Sequence, residues 1–148
     1  MRGAIALAGL ALAVAAFSAA AEDAGQIKTA QGSARIERDG KIIPAVPGAH
    51  VLQSDSIITG EDGTVGVTLA DNSRLSIGPN TVMSLDKYAF DTTTYKGQMD
   101  ASLKKGTMVV ISGKLVKQTP GAMRIHTPSS IMGVRGTKFI VHVGQPSS

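Results

Sequence analysis

Hydrophobic and polar positions alternate with a period of two through most of this chain, as in strands with one buried and one wet face. The pattern is clearest from Gly63 to Leu85, which reads GTVGVTLADNSRLSIGPNTVMSL. Val65, Val67 and Leu69 alternate there with Thr64, Gly66 and Thr68. Asp71-Asn72-Ser73 predicts a turn, because short polar side chains bond their own backbone and Asn tolerates a positive φ. Leu75 and Ile77 resume the alternation, Gly78-Pro79-Asn80 predicts a second turn, and Val82 to Leu85 forms a third run. Such short strands need neighbours to cover their apolar faces. The expectation is one small all-β domain.

The same grammar continues on both sides. Ala34 and Ile36 alternate with charged residues, Asp39-Gly40 is a hairpin signal, and Lys41 to Ile43 return towards Pro44. Ser56 to Thr59 predicts another strand and Gly60 to Gly63 a tight turn. Asp86 to Tyr95 carries the weakest pattern. Met99, Ala101 and Leu103 alternate again, Lys105-Gly106 predicts a turn, and Thr107 to Ile111 a central strand. Ser112-Gly113-Lys114 reads as a further turn, and Phe139, Val141 and Val143 mark the last strand. No segment carries a helix signal of useful length, since Gly, Thr, Val and Ser stand where Ala, Leu and Glu would be needed. This spacing fits a β-solenoid-like coil or a twisted β-sandwich of many short strands, with the strand order left open.

The N-terminus follows a different rule. Met1-Arg2 is a short positive region, Gly3 to Phe17 is uncharged and rich in Ala, and Ala19 to Ala21 supplies small residues before Glu22-Asp23. That order is the signature of a secretory signal peptide, here residues 1–21 with cleavage after Ala21. Residues 22–31 read as a lead-in, 32–143 as the domain and 144–148 as a polar tail. The expected product is periplasmic or secreted, with no transmembrane span in the mature chain.

Composition narrows the function. The chain has no Cys, so neither a lipid-anchoring cysteine nor a disulfide contributes. Aromatic residues are 3% of the sequence, so branched aliphatics and Met must fill the core. The net charge of +4 is scattered, which supports solubility rather than nucleic-acid binding. Lys104, Lys105, Lys114 and Lys117 form a modest basic region. It could face an anionic glycan or keep a sheet edge wet.

Candidate chemistry is sparse. Asp55, Asp71 and Asn72 sit in turn contexts that Asx bonding explains. His50, His126 and His142 lack metal-ligand spacing, and Ser129-Ser130 lacks a strand–nucleophile–helix elbow. No catalytic residue, metal or cofactor is expected, and an enzyme is only a remote alternative. Val134-Arg135-Gly136-Thr137 is the most informative short motif. Arg135 is expected either to contact a partner or to bond loop carbonyls or a carboxylate such as Asp71. Val134 and Phe139 are expected to be buried, locking the last strand onto the domain.

Asp55-Ser56-Ile57-Ile58-Thr59-Gly60, Leu69 to Leu75 with its aspartate-centred turn, Lys105-Gly106-Thr107, Ile125-His126-Thr127-Pro128 and Val134 to Phe139 occur in the order and spacing of a known pattern. The chain resembles the FecR domain family of bacterial envelope proteins over about residues 32–143. Asn72 stands where a Gly is more usual in that family. The resemblance implies an all-β periplasmic domain, solenoid-like in architecture, that works by protein–protein interaction. Its best-known members carry a membrane span and a cytoplasmic segment that controls a sigma factor. This chain shows neither in the mature part. The expected role is therefore a stand-alone binding or scaffolding module for another envelope protein in signalling or assembly, with an anionic glycan as the alternative partner.

Overall fold

A computed structural model describes residues 23–144. The expected signal segment 1–21, its expected cleavage point and residues 145–148 of the expected tail lie outside the described residues. Twelve strands form: β1 (Asp23–Gln31), β2 (Ala34–Arg38), β3 (Lys41–Pro44), β4 (His50–Leu52), β5 (Ser56–Thr59), β6 (Thr64–Leu69), β7 (Arg74–Ile77), β8 (Val82–Phe90), β9 (Gly97–Ile111), β10 (Met123–His126), β11 (Ile131–Gly133) and β12 (Lys138–Val143). One short helix, α1 (Lys114–Gln118), follows β9.

Nine strands lie in one continuous path, β3-β2-β5-β8-β9-β7-β6-β1-β4, and every neighbouring pair along it is antiparallel. The result is an antiparallel half-barrel. This overturns the expected β-solenoid-like coil or twisted β-sandwich of uncertain strand order. A solenoid stacks parallel coils, and the one parallel pair among the described strands joins β10 to β9. A sandwich needs two separate sheets, and β9 runs through both halves. Its first part pairs with β8 and its last part with β7 and β12.

The error traces to Lys105-Gly106, expected to turn the chain. Gly106 does adopt φ +98°, but the strand continues through it. A Cβ at this position would collide with the Thr81 side chain, so only Gly allows the close approach. Thr107 N–H donates to Thr81 Oγ1 at 3.1 Å, and Thr81 N–H donates to Thr59 Oγ1 at 3.0 Å. These bonds tie the bend of β9 to the strands beside it.

Other turns form as their residues dictate. Asp39 and Gly40 both take positive φ in the β2–β3 hairpin, and Asn72 takes φ +67° between β6 and β7. The segment read as a lead-in is itself a strand: β1 pairs with both β4 and β6, and Ala24 and Ile27 are fully buried.

The core lies inside the curl. Val65, Val67, Leu75, Ile77, Met108 and Val110 line one half, while Ile36, Ile57, Met83, Leu85, Met99 and Leu103 line the other. Leu115 and Val116 of α1 pack into the same cluster. This helix was not expected, because its start is capped from a distant part of the chain. Asp71 O accepts Lys114 N–H at 2.8 Å, and Asp71 Oδ2 accepts Leu115 N–H at 3.2 Å. No local sequence signal carries a cap of that kind.

Candidate functional site

Asp55 and Asp71 are both completely buried, yet each is fully bonded. Asp55 follows β4 and receives a two-pronged guanidinium. Arg38 Nε donates to Oδ1 at 2.8 Å and Nη2 to Oδ2 at 2.7 Å, while Leu52 N–H donates to Oδ2 at 2.8 Å. Arg38 also reaches the His50 carbonyl at 3.2 Å. The hydrogen bond to Asp55 holds the Arg38 guanidinium proton more tightly than usual, against a smaller opposing effect of burial.

Asp71 has no cationic partner among the described residues. Its Oδ1 accepts the Tyr88 hydroxyl at 3.0 Å and Ser73 N–H at 3.2 Å. Its Oδ2 accepts the Ser73 hydroxyl at 2.6 Å as well as Leu115 N–H. Ser73 Oγ in turn accepts Gly113 N–H at 2.9 Å. Burial, followed by the Asp71 charge, pushes the Tyr88 hydroxyl well above the ordinary tyrosine range. Asn72 supplies the positive φ of this turn. Both aspartates are saturated by donors inside the fold, so neither presents a free carboxylate to a substrate.

The Val134–Thr137 motif joins β11 to β12. Its backbone is tied down: Val134 N–H donates to the Met123 carbonyl at 2.8 Å, and Ser112 N–H to the Thr137 carbonyl at 2.8 Å. The Ser112 hydroxyl donates to the Gly136 carbonyl, and Gly136 takes φ +102°. Val134 is buried and Phe139 half-buried against the core. Arg135 departs from the structural expectation. Its side chain is exposed and bonds neither a loop carbonyl nor Asp71, whose four acceptor positions are filled by Tyr88, Ser73 and Leu115. Ser112 supplies the bonds to the Gly136 and Thr137 carbonyls of this loop.

Exposed isoleucines stand on the two strands that flank this loop, β11 and β12. Ile131 is 65% exposed and Ile140 64% exposed. Met132, Ile140 and Val143 share the wall of an open groove of about 380 Å³ with Thr127 and Ser130.

Lys104 and Lys105 lie in the middle of β9, and Lys114 and Lys117 lie on α1. Lys114 Nζ sits 4.9 Å from the centre of the Tyr95 ring, which is itself stacked on Phe90. The three histidines are dispersed: His50 meets Asp23 at 2.6 Å, His126 meets Asp100 at 3.4 Å, and His142 meets Thr107 at 2.7 Å. Among the described residues no three His, Cys, Asp or Glu converge as metal ligands, and no helix is long and apolar enough to cross a membrane. Sequence reasoning missed Arg38, whose only local signal is its place at the entry to the Asp39-Gly40 turn.

A curled antiparallel sheet with Asp55 and Asp71 sealed inside it defines an all-β domain. The FecR protein family model matches residues 55–148, most of the chain, and the chain belongs to that family. The match begins at Asp55, the buried partner of Arg38. No curated protein and no solved structure matches the chain.

Proposed function

We propose that this chain is a non-catalytic, periplasmic FecR-family module that binds another envelope protein through its β11–β12 corner. Arg135, exposed and unbonded among the described residues on a loop whose backbone is tied down, carries this reading. A long cation held at the surface without an internal partner is available to a carboxylate on another protein, and Arg is favoured in such contacts. Ile131 on β11 and Ile140 on β12, the strands that flank this loop, add exposed apolar area, and apolar area is expected at the core of a docking patch. Family membership supports an interaction role of this class.

Crosslink capture from envelope extract, with wild type and Arg135→Ala compared, tests the reading. The expected result is one salt-tolerant protein partner, lost in Arg135→Ala while the melting curve stays unchanged. Equal capture by both proteins would overturn it. Export is tested separately by mass spectrometry of the envelope fraction, which should find a mature N-terminus near Glu22. A cytoplasmic product retaining Met1 to Ala21 would defeat that part.

A further inference from the structure

Away from the β11–β12 corner, the outer face of β1, β6 and β7 carries an open groove of about 750 Å³. Three features build it. The first is a β-bulge in β1, where the register against β6 shifts between Ile27 and Thr29. Lys28 is the inserted residue, so Lys28 and Thr29 are both exposed although they are consecutive. Bulges re-aim side chains in this way. The second is Gly66, which sits opposite Thr29 in the middle of the floor. A Cβ there would collide with Thr29 Oγ1, so the glycine keeps the groove open. The third is Arg74 on β7, exposed and without a hydrogen bond or ion pair among the described residues.

Thr68 and Ser76 complete the floor with hydroxyls, and no acidic side chain lines the groove. Asp23, in the adjoining depression, is already held by His50. Lys28 Nζ rests on Gln26 Oε1 at 3.0 Å, a neutral contact that leaves its charge uncompensated.

We propose that this groove binds an acidic glycan whose sugars each carry a single carboxylate. Lys28 and Arg74 stand on strands separated by β6 and are offset by one to two residues along them, about 11 Å apart at the backbone by ordinary strand geometry. Two separated single charges match a repeating carboxylate. A phosphate group would call for donors converging on one point. The hydroxyl floor offers donors and acceptors to sugar hydroxyls. A peptide strand gains no backbone pairing here, because β6 and β7 are paired on both sides. The lysine region Lys104, Lys105, Lys114 and Lys117 takes no part, and the groove is independent of the protein-docking reading.

The test is amide NMR titration of the full chain with a hexamer of galacturonic acid. A neutral maltohexaose and a hexaglutamate peptide serve as comparators. The expected result is saturable shifts at the Gly66, Thr68 and Ser76 amides with the uronate alone. Arg74→Gln and Lys28→Gln should each weaken binding by about tenfold, the scale of one lost charge-assisted bond. Both groups are exposed, so unchanged melting curves are expected for the variants. Ile140→Ser should leave uronate binding intact, which separates this site from the protein surface. Absent shifts in the groove, wild-type affinity in Arg74→Gln, or equal binding of hexaglutamate would each overturn the proposal.

Discussion

Asp55 and Asp71 are two aspartates in similar turns, equally buried, that solve the same electrostatic problem differently. Burying a carboxylate is costly unless its charge is compensated. Asp55 is compensated by a full positive charge, and the Arg38 side chain that supplies it remains 29% exposed, so the pair keeps contact with water. Asp71 is compensated by two hydroxyls and two backbone N–H groups, all inside the fold. The first arrangement staples β2 to the β4–β5 turn. The second joins the β6–β7 turn, β8 and the start of α1 at one point. A carboxylate held by neutral donors gathers more of the chain than one held by a single cation.

That difference sets the scale of the expected losses. Asp71→Ala leaves Leu115 N–H and the Ser73 and Tyr88 groups without their acceptor, and should cost about 3–5 kcal/mol in denaturant unfolding. A loss below about 1 kcal/mol would show that the network is not a structural centre. Arg38→Met strands the Asp55 charge, but water reaches the site, so about 2–3 kcal/mol is expected. The double variant Arg38→Met/Asp55→Leu should recover more than half of that loss, because apolar residues can replace an ion pair. Asp71→Leu/Tyr88→Phe should recover little, since backbone donors stay behind in every variant. Equal recovery in the two pairs would erase the distinction.

Tyr88→Phe should cost about 1–3 kcal/mol, because Asp71 N–H donates to the same hydroxyl at 3.1 Å and loses its acceptor. Its pH dependence is a sharper probe. The folded state holds the Tyr88 proton more tightly than the unfolded state, so its contribution is fully present below pH 10, the ordinary tyrosine value. Stability should fall as pH rises beyond that, and Tyr88→Phe should flatten this alkaline limb. An identical limb in both proteins would place the titration elsewhere.

The smallest effect belongs to Arg135→Ala, expected within about 0.5 kcal/mol of wild type, as for an exposed side chain with no partner among the described residues. A loss matching that of Arg38→Met would mean that Asp71 also depends on a cation, and the contrast would fail.

The sequence by itself determined the local pieces of this protein. Val65-Val67-Leu69 and Phe139-Val141-Val143 set strands by alternation. Asp39-Gly40 and Asn72 set turns by tolerating positive φ. Family membership was readable too, because it rests on the order of such pieces. Only the tertiary structure decided what joins them. Gly106 could end a strand or bend one, and the proximity of Thr81, distant in sequence, chose the bend. Leu115 and Val116 carry no helix signal, and donors capped by Asp71 start the helix. Arg135 and Arg38 are equally long cations beside glycine turns, yet Arg38 reaches a buried carboxylate and Arg135 meets solvent. Alternation and turn chemistry act between near neighbours, whereas caps, ion pairs and the curl of a sheet depend on groups that only folding brings together.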